Sequence, residues 1–272
     1  MLRKSFKKLT CFGLSAVMTM GISITAFASE TQSADNLQVA YDNVTAHATE
    51  NGINLDMTFK DFLSSYNGQS ATEYENYFYE VLSVPDIQIY SSSSSGGNTY
   101  YYNTGTTCPS QATYSKYNLL NVVKKGDIIY EANGGFGITG HIAIVEGIYT
   151  RSNGTKYIRI IEAIDVGVKR SILDDTRVDD KAVTILRVDG ATSTNINNAV
   201  SFCTSQLGKN YKLDLAKDTS KDEKDWYCSE LVWAAYKNEG IDIEVSGNGE
   251  PGITPHDILN SSKTKTITYS KR

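Results

Sequence analysis

Apolar residues recur with helical spacing through the first third of the chain. Leu37, Ala40, Tyr41 and Val44 share one helical face, as do Phe59, Phe62 and Leu63. A third run over 72–82 places Tyr74, Tyr77, Phe78 and Val81 together. Asn51-Gly52 separates the first two runs as a turn. From about Tyr117 the pattern changes to strands with tight turns. Gly126-Asp127-Ile128-Ile129-Tyr130 starts a strand, and Gly134-Gly135-Phe136-Gly137 is a flexible loop. His141-Ile142-Ala143-Ile144-Val145-Glu146-Gly147 is nearly apolar on both faces, which predicts a central strand. Asn153-Gly154 predicts a hairpin turn. Tyr157 to Ile164 is the next strand, followed by a short segment at Gly167-Val168 and a strand from Ala182 to Val188. Helical spacing returns over 194–207 through Ile196, Val200, Cys203 and Leu207, and Gly208 ends it. A charged loop, Lys217 to Asp225, leads to a run whose Leu231, Val232, Ala235 and Tyr236 lie on one helical face up to Gly240. Pro255 to Leu259 reads as a short helix and Thr264 to Tyr269 as a last strand. An antiparallel sheet with segregated helices is the α+β class.

Composition divides this pattern into segments. Arg3, Lys4, Lys7 and Lys8 precede a mostly apolar run to Phe27, and Ala26-Phe27-Ala28 has the form of a cleavage site. Residues 1–28 read as a signal peptide, which predicts an exported protein that is secreted or associated with the cell wall. Residues 29–90 form a helical N-terminal segment. Residues 91–97, Ser-Ser-Ser-Ser-Ser-Gly-Gly, are a low-complexity linker. Residues 98–117 are an irregular arm, and 118–272 carry the mixed sheet. No later stretch is apolar and long enough to span a membrane. Amphipathic runs in a segment too small for its own core predict that residues 29–90 dock on the rest of the chain.

Removing residues 1–28 leaves 22 basic against 31 acidic residues, a formal charge of −9. That balance argues against a nucleic-acid partner. Cys108, Cys203 and Cys228 remain, an odd number that leaves at least one thiol over. A Cys108–Cys203 pair would leave Cys228. Three histidines and three cysteines show no metal-ligand spacing, so neither metal nor cofactor is expected.

Cys228 falls at the first turn of a helix, where unpaired N–H groups and the helix dipole favour a thiolate. Such a cysteine is a candidate nucleophile if an imidazole reaches it; otherwise it is a small buried residue. Of His47, His141 and His256, the first lies in a polar region that suggests a solvated surface. His256 follows a proline at a helix start. His141 opens the apolar strand beside Gly140 and suits a cleft edge. Glu162 interrupts the apolar strand 157–164, where a carboxylate is costly unless paired, so it is the candidate to orient the imidazole. Glu146 is the competitor, with exposure expected because it sits beside the glycine ending its strand.

Six pieces then occur in a family's order. They are Lys125-Gly126-Asp127-Ile128-Ile129, Gly140-His141-Ile142-Ala143-Ile144-Val145, Ile161-Glu162-Ala163 with Gly167-Val168, Gly208-Lys209-Asn210-Tyr211, Tyr227-Cys228-Ser229-Glu230-Leu231-Val232 and Thr254-Pro255-His256-Asp257-Ile258. Over about 118–268 the chain resembles the permuted, YiiX-like branch of the NlpC/P60 papain-like cysteine hydrolases. In that branch the cysteine helix follows the histidine strand instead of preceding it. The resemblance implies that Cys228 is the nucleophile, His141 the general base and Glu162 the residue orienting it. It also implies a Tyr211 near the active site, as a donor to the substrate carbonyl or as a core tyrosine. It says nothing of residues 29–117. The implied activity is cleavage of amide bonds in peptidoglycan stem peptides. Hydrolysis or transfer of an acyl group on a lipid or small amide is the alternative within the same chemistry, and a non-catalytic wall-binding module the alternative outside it. A wide polar groove at Cys228 favours the wall; an apolar tunnel favours the acyl substrate.

Overall fold

The computed structural model describes residues 34–50, 55–64, 66, 68–82, 112–132, 140–150, 154–245 and 251–267. The expected signal peptide, the linker at 91–97, Cys108 with most of the arm, the loop at Gly134 to Gly137 and the turn residues Asn51, Gly52 and Asn153 lie outside the described residues. So do the side chains of Tyr77 and Val81.

The amphipathic runs form α1 (Ala34–Glu50), α2 (Phe59–Ser64) and α3 (Ala71–Leu82). Leu37, Ala40, Val44 and Ala48 are the buried stripe of α1, as the spacing requires. The starts of α2 and α3 carry reciprocal caps: Thr58 with Asp61, and Ser70 with Glu73, each side chain accepting from the other's backbone N–H. Phe62, Tyr74 and Phe78 fill the space between the helices, with ring centroids 4.7 and 4.9 Å from Phe62. Leu63, grouped with Phe62 by spacing, stays exposed. The helices do not stand alone. Their apolar stripe joins the core of the following residues, the Asp56 N–H donates to the Leu213 carbonyl at 3.0 Å, and Lys212 pairs with Asp61 at 3.1 Å.

A short α4 (Leu119–Val122) precedes β1 (Ile128–Glu131), β2 (His141–Thr150), β3 (Lys156–Ile164) and β4 (Gly167–Leu173). Next come α5 (Asp175–Lys181), β5 (Val183–Val188), α6 (Ser193–Ser205), β6 (Asn210–Tyr211) and β7 (Asp225–Trp226). α7 (Cys228–Lys237), α8 (Pro255–Asn260) and β8 (Thr264–Thr266) complete the described elements. One sheet has the order β4-β3-β2-β1-β5-β8, every pair antiparallel; β6 and β7 form a separate parallel pair. Ile128, Ile142, Ile144, Ile161 and Leu186 face the core built by α6, α7 and the N-terminal helices. Ile129, Ala143, Val145, Ile158, Ile160 and Ile185 face a second core with Leu119 and Val178. The central strands are covered on both sides, which is why they read as apolar throughout. Each fully buried aliphatic side chain there stabilises the fold by about 1.5–3 kcal/mol.

β4 and α5 were not legible from spacing. Lys169 and Arg170 break the apolar pattern of β4, and α5 is short and polar. The local signal for α5 is its cap: Asp174 accepts the Arg177 N–H at 3.0 Å.

Candidate active site

Cys228 is the first residue of α7. The run from Cys228 to Tyr236 is buried throughout, because the helix packs on the sheet and against α6. Its N-cap, Tyr227, is extended and offers no side-chain cap, so the first-turn N–H groups are not consumed by one. Glu230, three residues beyond the cap, accepts from the Tyr227 backbone and from the Asp218 N–H at 2.9 Å. That is half of a capping box, and it pins the charged loop over the helix start. Burial drives the Glu230 carboxyl well above its ordinary range. On the other side the Ser229 hydroxyl donates to the Ile253 carbonyl at 2.5 Å, and the Ile253 N–H donates to the Tyr227 hydroxyl at 2.9 Å. The sulfur is thus fixed on a clamped helix end.

The sheet register assembles its partners. His141 starts β2 directly opposite Glu131 of β1. Ile144 faces Ile161 across β2 and β3, which sets Glu162 opposite Ala143, two residues along from His141 and on the same face. His141 Nε2 lies 2.7 Å from Glu162 Oε2. Gly140 permits the approach: at φ +84°, its missing Cβ would stand 2.7 Å from the Glu131 carbonyl and 2.8 Å from the Tyr130 ring. Glu162 takes Nε2, so Nδ1 is the nitrogen left for the thiol, and His141 acts electrostatically on Cys228. The sulfur lies 4.0 Å from Ser229 Oγ. Exposure runs from 1% at Glu162 through 5% at His141 to 9% at Cys228, so the thiol is the outermost of the three.

Burial by itself would raise the Cys228 thiol, but the His141 charge and hydrogen bond, with the Ile142 N–H, bring it below its ordinary value. Burial by itself would lower His141, but the Cys228 thiolate and the Glu162 carboxylate raise it well above the usual histidine range. Both shifts favour the thiolate–imidazolium form of the pair. Burial by itself would raise Glu162, but Arg177 and His141 hold it far below the usual carboxylate range.

Three members of this cluster escaped the sequence analysis. Arg177 of α5 donates to both Glu162 oxygens and to Glu131; Ser171 of β4 donates to Glu162 Oε1. The Asp174 cap three residues earlier is the local signal for the placement of Arg177. Tyr211 is half-buried on β6 and packs against the inner core. Burial raises its phenol first, then the charge of Cys228, then Asp165, Asp56 and Asp214, so it lies within electrostatic reach of the thiolate.

The competitors resolve differently from expectation. Glu146 is buried, not exposed. Arg159 and Arg170 each reach it through two hydrogen bonds, and two guanidiniums offset the cost of burial. His47 is half-buried with its ring 4.6 Å from Tyr79, not a solvated surface group. His256 packs 5.8 Å from Tyr130. Cys203 is a buried free thiol, and burial pushes it well above the ordinary range. Among the described residues no group of three His, Cys, Asp or Glu is arranged to hold a metal ion. No described helix is long and apolar enough to cross a membrane.

A thiol on a helix start, facing an imidazole and a carboxylate from strands that precede it in the chain, is the arrangement of a papain-like cysteine hydrolase with permuted chain order. The model of the permuted papain-like amidases, the YaeF/YiiX, C92 family, matches residues 122–267, and the chain belongs to that family. The uncharacterized protein YycO of Bacillus subtilis (strain 168) is 30% identical over 132 residues, 47% of this chain and 48% of that protein. The chain thus spans about half the length of that curated relative. The crystal structure of the metalloprotein yiiX from Escherichia coli O157:H7 shares 19% identity over 54% of this chain and 97% of that one, with a TM-score of 0.39.

Proposed function

We propose that the chain is an exported amidase that cleaves amide bonds in peptidoglycan stem peptides through Cys228, His141 and Glu162. The observation that carries this reading is the His141 Nε2–Glu162 Oε2 distance of 2.7 Å beside a thiol drawn down by that imidazolium. The Cys228 thiolate attacks the carbonyl carbon, and negative charge moves to the carbonyl oxygen. The Cys228 N–H at the start of α7 and the Tyr211 hydroxyl are the proposed donors to that oxygen. The His141 imidazolium protonates the leaving nitrogen as the C–N bond breaks, leaving a thioester and a neutral imidazole. The imidazole then takes a proton from water, the hydroxide attacks the thioester, and the acid leaves as thiolate and imidazolium reform. Glu162 holds the ring in orientation through both steps.

Mass spectrometry of purified peptidoglycan fragments and acyl-lipids, incubated with wild type and Cys228→Ala, tests the reading. Addition of water across a stem-peptide amide, absent with the variant, is the expected result. Cys228-dependent change in the lipids alone would move the assignment to acyl transfer. N-terminal sequencing of the exported protein should begin at Ser29; retention of residues 1–28 would remove the export part.

A further inference from the structure

Arg177 is 3% exposed, and its guanidinium serves several acceptors at once. Nη1 donates to Glu162 Oε1 and to Ser171 Oγ, 3.1 Å each, and Nη2 donates to Glu162 Oε2 at 2.6 Å. Nε donates to Glu131, the residue opposite His141 in the β1–β2 ladder. Glu162 Oε2 therefore lies between two cationic donors, His141 and Arg177. Burying a guanidinium carries a desolvation cost of several kcal/mol, and well-packed apolar side chains often replace a buried ion pair without loss of stability. The hydrogen bonds suggest what is gained. A buried carboxylate whose sole cationic neighbour is an imidazolium can take its proton, leaving a neutral Glu–His pair that no longer supports a thiolate. A second, permanently charged donor on the same oxygens prevents that transfer, because a guanidinium does not give up its proton.

We propose that Arg177 is a positioning residue for the hydrolysis: its fork fixes both oxygens of Glu162 and keeps that carboxylate anionic, so the proton stays on His141. Glu131 offsets the guanidinium charge at the edge of the site. This rests on the reading of Cys228, His141 and Glu162 as the reacting set. The charged groups around Glu162 are His141 from β2, Arg177 from α5 and Lys169 opposite it on β4; Glu131 is reached through Arg177, and Cys228 through His141.

The test is the rate of Cys228 alkylation by iodoacetamide against pH in the full chain, for wild type, R177K and the double variant E131Q/R177M. The double variant removes the charge Arg177 would otherwise leave unpaired on Glu131. Wild type should label rapidly down to mildly acidic pH. In E131Q/R177M the acid limb should move up by about one pH unit, so labelling at pH 6 slows about tenfold. R177K keeps the charge but loses the fork, and should shift the limb the same way by less. If the double variant does not fold, R177K is read alone. An unshifted limb in the folded variant overturns the role of Arg177. A wild-type Cys228 that labels no faster than an ordinary thiol overturns instead the reacting set on which that role rests.

Discussion

Of the three glutamates buried in the described sheet and held by arginine, Glu131, Glu146 and Glu162, the last two make the sharpest contrast, since Glu162 has a histidine and Glu146 does not. Glu146 on β2 is gripped by Arg159 and Arg170 from β3 and β4. Glu162 on β3 is gripped by Arg177 and Ser171 and has His141 on its remaining side. Both carboxyls are held below the ordinary range despite burial. The first cluster is closed, since two guanidiniums use the carboxylate and Arg159 also stacks 3.8 Å from the Tyr149 ring. The second is open at one end, and that end is a titrating ring against a thiol. Pairing alone therefore marks a carboxylate that the fold tolerates; the side left for His141 sets Glu162 apart as the one proposed to act.

The contrast is tested most strongly at the thiol. Cys228→Ala should lower the rate of amide hydrolysis by about 10⁴-fold or more, since the nucleophile and its base act as one unit. Circular dichroism should show the fold retained. Residual turnover near the wild-type rate would remove Cys228 from the chemistry.

Glutamine at each glutamate should separate the two clusters. Glu162→Gln should lower kcat by roughly 10²–10⁴-fold, because the imidazole loses the group that sets its orientation and charge. Glu146→Gln should leave kcat unchanged while costing about 3 kcal/mol of stability in urea unfolding, the result of leaving buried guanidiniums without their counter-charge. Equal loss of kcat in both variants would dissolve the distinction.

The smallest effect is in acid stability. The Glu146 carboxyl sits below its ordinary value of 4.5 in the folded chain, so the folded state binds its proton less readily than the unfolded state does. Its contribution is complete above about pH 4.5 and is lost as pH falls through the folded value. Wild type should lose thermal stability below that pH faster than Glu146→Gln. Parallel melting curves against pH would show that the arginine pairs add nothing to the carboxylate's acidity.

Much of this was legible in the sequence. Cys228 stood at the start of an amphipathic run, and His141 and Glu162 stood out as polar residues in apolar strands. The chain order of the three matched a permuted family. What the sequence hid was pairing across elements. Glu146 and Glu162 look alike as isolated carboxylates in apolar strands, and only register and the arginines tell them apart. Arg177 sits in a short polar helix with no periodicity. β4 was reduced to a short segment at Gly167-Val168 because Lys169 and Arg170, half-buried in the fold, break its apolar run.

The permuted order also fixes when the site comes into being. A chain is made from its N-terminus, and completed parts begin to fold before the rest appears. Strands β1–β5, with His141, Glu162 and Arg177, all precede residue 189, whereas Cys228 follows almost forty residues later. A nascent or truncated chain that ends before Cys228 holds the imidazole and the carboxylate but has no thiol in place to attack an amide. The proposed hydrolytic step is thereby reserved for molecules whose synthesis has passed the helix that carries the sulfur.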